Sequence, residues 1–269
     1  MLQYKRTQRL LTVEGMNLSF GNTPVLRDIN FHIDDIIRPD MEQGQVVSIL
    51  GPSGIGKTQF FRCLAGLNIP TTGKVKLNGG EHNVVAGQVG VVFQNYPLLS
   101  HRTVKQNLNI AISNAKKKFE EAHELMIAFQ LEDKYDKYPA QLSGGQRQRI
   151  SIIQQLLCSD HFILMDEPFS GLDILSKAKM VDLIRKVSTI HELNTLIVTT
   201  HDISTAVEIS DTIVVVGFQR DSKGEKIPGA TIIEQIDLIE AGLAWRTGIN
   251  ETLEFRNMVS RITNLFLKM

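Results

Sequence analysis

Gly51-Pro-Ser-Gly-Ile-Gly-Lys-Thr58 follows the apolar run 46–50 and leads directly into Gln59, Phe60, Phe61 and Leu64. The octet has the form G-x-x-x-x-G-K-[ST], and a strand before it and a helix after it are the context that pattern requires. Gly51, Gly54 and Gly56 free the backbone to turn successive N–H groups inward, making an anion-binding nest at a helix N-terminus. Lys57 adds a point charge for the β and γ phosphates of a nucleotide, and the Thr58 hydroxyl is an oxygen ligand suited to Mg²⁺. The loop predicts a nucleotide-binding α/β fold without choosing among kinases, GTPases and motor ATPases, which all use it.

Working outward, residues 89–93, 162–166, 195–199 and 212–216 read as further buried strands, alternating with helical segments around a largely parallel sheet. Residues 103–159 carry apolar side chains at helical spacing and almost no strand signal, which predicts a helical subdomain, about 96–159, inserted in the sheet domain. Thr103 with Gln106 has the form of a capping box opening its first helix, and a second helix is expected over 119–130. The alternation in 11–20 and 26–33, with Gly21 and Asn22 between, predicts an antiparallel β-layer beside the core. The core is expected to end near residue 220. Residues 221–269 form an extension: a polar loop, a strand over 230–235, and a terminal amphipathic helix capped at Asn250, with Phe255, Val259, Ile262 and Phe266 on one face.

The chain has 269 residues, enough for a sizeable core, and 29 Lys plus Arg against 29 Asp plus Glu. That balance gives no basic surplus for nucleic acid or an anionic membrane as the main partner. Cys63 and Cys158 have neither metal-ligand nor disulfide spacing, and the first eleven residues lack the apolar stretch of a secretory signal. The longest apolar runs fall far short of the ~18 residues that span a bilayer. A cytoplasmic location is expected; work at a membrane would require another subunit to hold the chain at its inner face.

Two further motifs choose among phosphate-loop proteins. Leu142-Ser-Gly-Gly-Gln146, followed by Arg147-Gln-Arg149 and an apolar helix, is a second Gly-bearing helix N-terminus and a second anion site. Phe162-Ile-Leu-Met-Asp-Glu-Pro168 is an apolar strand ending in two carboxylates: Asp166 can hold Mg²⁺ through its water shell, and Glu167 can polarise an attacking water.

With the phosphate loop, Gln94, Leu142 to Gln146, Asp166-Glu167, Ser170-Gly-Leu-Asp173 and His201 in this order, the chain resembles the ATP-binding cassette (ABC) family, the nucleotide-binding subunits of ABC transporters, over about residues 11–217. The resemblance implies a P-loop NTPase with a RecA-like core, a flanking antiparallel β-layer and an inserted helical subdomain. It implies ATP contacts from Gly51, Pro52, Ser53, Gly54, Ile55, Gly56, Lys57, Thr58 and Gln59, with Phe20 stacking on adenine where the family more often has Tyr. Mg²⁺ would be held by Thr58, Gln94 and Asp166. Glu167 would act as general base, with Gln94 near the attacking water and His201 on the γ-phosphate.

In the family, the motif at Ser143, Gly144, Gly145 and Gln146 closes on the nucleotide of a second subunit, and Asp173 bridges the halves. One cassette per chain therefore implies a dimer, a homodimer or a pair with a second cassette subunit. Residues 91–100 resemble the region through which importer cassettes meet their membrane subunit; Tyr96, Leu98 and Leu99 are either that surface or core of the helical subdomain. Residues 199–211 are similar to the nitrate, sulfonate and taurine importer group, which implies transmembrane permease subunits and a solute-binding protein. An exporter or lipid-trafficking cassette and a soluble ATPase acting on DNA or the ribosome are the alternatives. Two features depart from the family: the segment between Phe31 and Gln45 is long, and Ile153-Gln-Gln-Leu156 replaces the usual Ala-Arg-Ala-Leu.

Overall fold

The computed structural model describes residues 4–38, 43–93, 95, 97–115, 117–159, 162–190, 195–246 and 248–269. Its central sheet has six strands in the order β5-β6-β7-β3-β8-β9. The five strands read from the sequence as the parallel core are there: β3 (Gln45–Leu50), β5 (Gly90–Val92), β6 (Phe162–Asp166), β7 (Thr195–Thr200) and β8 (Thr212–Gly217), paired parallel. β3 and β7 lie mid-sheet with every residue buried, which explains continuous β-branched and apolar runs instead of alternation.

β1 (Lys5–Phe20) and β2 (Thr23–Ile37) form the expected antiparallel layer, and β4 (Thr72–Leu77), which the sequence reading does not anticipate, adds a third strand beside β1 in the order β2-β1-β4. Between the layers lies α1 (Lys57–Leu64), the helix opened by the phosphate loop. Phe60 and Phe61 are wholly buried, and Phe60 meets Phe31 of the β-layer edge-to-face at 5.6 Å between ring centroids. The loop is thus anchored by a helix clamped between two sheets.

The helical region comprises α2 (Val104–Ala115), α3 (Phe119–Ala128) and α4 (Gly144–Cys158). The capping box forms as read: Thr103 N–H donates to Gln106 Oε1 at 3.0 Å, and Gln106 N–H to Thr103 Oγ1 at 3.3 Å. Buried Asn107 pins the preceding loop, accepting from Leu99 N–H and donating to the Leu99, Arg102 and Thr103 carbonyls. This divides the loop's apolar residues: Leu98 packs against the core, whereas Leu99 faces solvent. Tyr96 lies outside the described residues.

The sheet does not stop near residue 220. β9 (Thr231–Asp237), read as a strand over 230–235, pairs antiparallel with β8 and becomes its sixth strand. The terminal helix α7 (Leu253–Leu267) is capped by Thr252, not Asn250: the Thr252 hydroxyl accepts from Phe255 N–H at 3.2 Å, and Asn250 is taken up in the preceding 3₁₀ turn Ile249–Glu251. Its apolar face packs as expected: Phe255 and Ile262 are buried with Leu50, Ile213 and Ile236, and Val259 and Phe266 lie against them.

The long segment after Phe31 extends β2 to Ile37 and carries Arg38 into the protein. There its guanidinium pairs with buried Asp211, just before β8, with the side chains 2% and 0% exposed. Asp211 also accepts from Trp245 Nε1–H at 2.8 Å and Val46 N–H at 2.9 Å. The inserted residues, the first strand of the sheet and the tail therefore meet on one carboxylate.

Candidate functional site

The phosphate loop lies between β3 and α1, at the C-terminal end of the parallel strands where α/β folds bind ligands. Gly54 and Gly56 have φ of 78° and 108°, a region that L side chains avoid, so the turn needs glycine at both. Gly51 is required for a different reason than backbone freedom. Its φ is not positive; a Cβ there would lie 2.6 Å from the Val216 carbonyl oxygen of β8. The loop is pressed directly onto the neighbouring strand.

A cleft of about 410 Å³ opens over the loop, lined by Val25, Ser53, Gly54, Gly56, Lys57, Thr58, Gln59, Glu167, Ser170 and His201. Its polar centre is a chain of three side chains. The Lys57 ammonium donates to the carbonyls of Gly51 at 2.8 Å and Pro52 at 3.1 Å, and contacts Glu167 Oε1 at 3.1 Å. The other carboxylate oxygen of Glu167 accepts from His201 Nδ1–H at 2.9 Å. Glu167 thus bridges the loop lysine and the histidine after β7, residues brought together only because β6, β7 and β3 are adjacent in the sheet.

The backbone aims this carboxylate. Glu167 has φ of 46°, uncommon for a side-chain-bearing residue and found mostly where surrounding structure enforces it. The enforcing contacts are on β7: Glu167 N–H lies 3.1 Å from the Thr199 carbonyl oxygen and 3.0 Å from its hydroxyl oxygen. The same hydroxyl donates to Asp166 Oδ1 at 2.6 Å. Thr199 therefore holds the Asp166 carboxylate and the Glu167 backbone, and sequence reading missed it because a threonine within a strand looks like a β-former. Ser170 and Val25 also line the cleft without having been picked out as site residues.

Asp166 ends β6 beside Glu167 but does not itself line the cleft. Ile55 of the loop is buried, and the Gln59 side-chain carbonyl, in α1, accepts from Asn68 Nδ2–H at 2.8 Å. Phe20, at the end of β1, is 54% exposed and outside the lining. Gln94 lies outside the described residues.

Ser143, Gly144, Gly145 and Gln146 are not in this cleft either. They form the N-terminus of α4, with Ser143 and Gln146 in a reciprocal capping box at 2.9 and 3.2 Å, and nothing stands within 4 Å of where a Cβ on either glycine would be. Asp173 caps α5 (Ile174–Ile190), accepting from Ser176 N–H at 2.9 Å and Ser176 Oγ–H at 2.8 Å. These hydrogen bonds, the Ser176 N–H foremost, hold its carboxyl below the usual aspartate range.

Fold and cleft together define a nucleotide-binding protein of the P-loop class. The ABC transporter family model matches residues 35–170, and the chain belongs to that family. It is 34% identical to the L-cystine import ATP-binding protein of Bacillus subtilis, over 84% of this chain and 90% of that one. To an aliphatic sulfonates import ATP-binding protein of Agrobacterium fabrum it is 31% identical, over 94% and 90%. The sulfate/thiosulfate import ATP-binding protein of Synechocystis is 35% identical over 76% of this chain; the chain spans only 57% of that relative's length. Among solved structures, cbiO1 of Clostridium perfringens, part of the ABC transporter complex cbiONQ, superposes with a TM-score of 0.71 at 23% identity, covering 97% of this chain and 96% of that one. That likeness concerns the fold.

Proposed function

We propose that the chain binds ATP with its phosphates on the loop from Gly51 to Thr58 and hydrolyses it, as the energy-supplying subunit of a solute importer. The observation that carries this reading is the Glu167 carboxylate, held between Lys57 and His201 at 3.1 and 2.9 Å by a strained backbone. A carboxylate so aimed can take a proton from water attacking the γ-phosphate. Lys57 and the loop N–H groups orient the phosphates, and His201 steadies the base and the γ-phosphate. Phe20 supplies an aromatic face for adenine.

The Thr58 hydroxyl, the Asp166 carboxylate and Gln94 offer oxygen donors of the kind Mg²⁺ prefers. Mg²⁺ keeps few protein ligands and is commonly bound together with substrate phosphate oxygens, which suits so small a donor set. Bound there, Mg²⁺ supplies neutralisation of charge on the β and γ phosphates.

The helix end at Ser143 to Gln146, open above both glycines and outside the cleft, suits the nucleotide of a second copy, with Asp173 at the junction. Import is favoured over export by the relatives, which are import ATP-binding proteins for sulfate or thiosulfate, cystine and aliphatic sulfonates. Among the described residues no helix is long and apolar enough to cross a membrane; in this reading permease subunits provide the path for the solute. The chain would work on the cytoplasmic face, with a solute-binding protein delivering cargo outside.

The test is Glu167→Gln, which keeps shape and removes the base. ATP binding should persist while turnover falls by about 10²-fold or more. Turnover within threefold of wild type would refute the assignment of the base.

A further inference from the structure

We infer that the Lys177–Asp202 ion pair is a positioning element for ATP hydrolysis, tying the turn that carries His201 to the helix end capped by Asp173. The inference rests on the roles proposed above for His201 and Asp173 and identifies the contact through which one would report to the other.

His201 is the first residue beyond β7, and its side chain is half exposed with Glu167 as its hydrogen-bonded partner. Its setting is governed by the next residue. Asp202 N–H donates to Thr200 Oγ1 at 3.1 Å. One Asp202 carboxylate oxygen caps α6 (Ile203–Ile209), accepting from Thr205 N–H at 2.9 Å; the other takes the Lys177 ammonium. Burial works against the charge on Asp202, yet Lys177 and the Thr205 N–H hold its carboxyl below the usual range. The carboxylate therefore remains charged and doubly held through neutral pH.

Lys177 is one turn into α5, and its N–H donates to the Asp173 carbonyl at 2.8 Å. Backbone and side chain of this one lysine connect Asp173 to Asp202. A continuous path runs Asp173, Lys177, Asp202, His201, Glu167, Lys57, from the end of α5 to the phosphate loop. Arg185 and Glu208, at 3.4 Å, join α5 and α6 further along both helices. Losing the Lys177 pair would leave the helices attached there and loosen chiefly the His201 end. Both partners of the Lys177 pair are about a third exposed, 32% and 30%, so it adds little to global stability. A catalytic effect without loss of stability is the signature to look for.

The experiment measures steady-state ATP hydrolysis by the full chain in wild-type and His201→Ala backgrounds. Lys177→Met should lower kcat about tenfold with KM for ATP within about threefold and an unchanged thermal midpoint, as expected for a misaligned catalytic group. Lys177→Arg should return kcat to within about threefold of wild type. Asp202→Asn, which keeps the helix cap and removes the charge, should follow Lys177→Met. In His201→Ala, adding Lys177→Met should cost less than about twofold more, because a residue acting through His201 has nothing left to act on.

Lys177→Met or Asp202→Asn at more than half the wild-type kcat would overturn the inference, as would an equal tenfold loss in both backgrounds. If His201→Ala itself runs at the wild-type rate, the proposed role of His201 falls. If it is slow and Lys177→Met is not, only the coupling falls.

Discussion

Replacing Arg38 by Met leaves a carboxylate in the interior with its cation removed. Arg38 Nη1 and Nη2 lie 2.9 and 2.8 Å from Asp211 Oδ1, and neither side chain is more than 2% exposed. The Trp245 and Val46 donors remain, but neither carries charge. Breaking one partner of a buried pair costs about 3–5 kcal/mol. With unfolding entropy near 2.1 cal/mol/K per residue, 269 residues give ~0.56 kcal/mol/K, so the thermal midpoint should fall by about 5–9 °C at pH 8.

The cost must depend on pH in a defined direction. Burial pushes the Asp211 carboxyl up to about 6 even though Arg38, the Val46 N–H and Trp245 oppose it. A carboxyl raised on folding contributes stability that is present below its unfolded pKa, 3.8, and is lost as pH rises through the folded value. Without Arg38 the folded value climbs further, so the loss continues above pH 6. The gap between wild type and Arg38→Met should therefore widen from pH 5 to pH 8. Thermal unfolding monitored by circular dichroism in the two buffers measures this. A shift under about 2 °C at pH 8, or equal shifts at both pH values, would refute the reasoning.

Thr199→Val keeps the strand shape and removes the hydroxyl shared by Glu167 N–H and Asp166; kcat should fall by roughly tenfold with ATP affinity little changed, read by steady-state hydrolysis and nucleotide titration. Gly51→Ala drives a methyl group against the Val216 carbonyl, so nucleotide binding measured by calorimetry should weaken by at least tenfold, with about 1–3 kcal/mol of stability lost. Ser143→Arg or Gly144→Asp should abolish ATP-driven dimerisation of the Glu167→Gln protein on a sizing column while each monomer still binds nucleotide; loss of monomer binding would count against the two-copy reading.

Motifs whose chemistry is local were legible in the chain. The phosphate loop, the Thr103 capping box and the carboxylates ending β6 each announce themselves within eight residues, because turn geometry, cap and strand are short-range requirements. Five of the six core strands were readable for the same reason: buried parallel strands are continuous apolar runs. Contacts between distant segments were not legible. Nothing near Thr199 signals that its hydroxyl will hold residues 33 and 32 positions away. The long segment after Phe31 read as an unexplained insertion because its partner, Asp211, lies 173 positions on. The β9 strand was visible, yet its attachment to β8 follows a polar loop of the kind that marks boundaries as readily as crossovers.

The contact between Glu167 and Lys57 makes the proposed base an intramolecular competitor of its own substrate. The lysine reaches three oxygens, two backbone carbonyls and one carboxylate, which matches its three N–H donors. A γ-phosphate would have to exchange with the carboxylate, one anion for another, instead of entering a field of unshielded positive charge. Nucleotide arrival then does two things at once, seating the phosphate and releasing Glu167 toward water. Glu167→Gln, being the weaker competitor, should bind ATP more tightly than the natural chain, each tenfold gain corresponding to about 1.4 kcal/mol of competition removed.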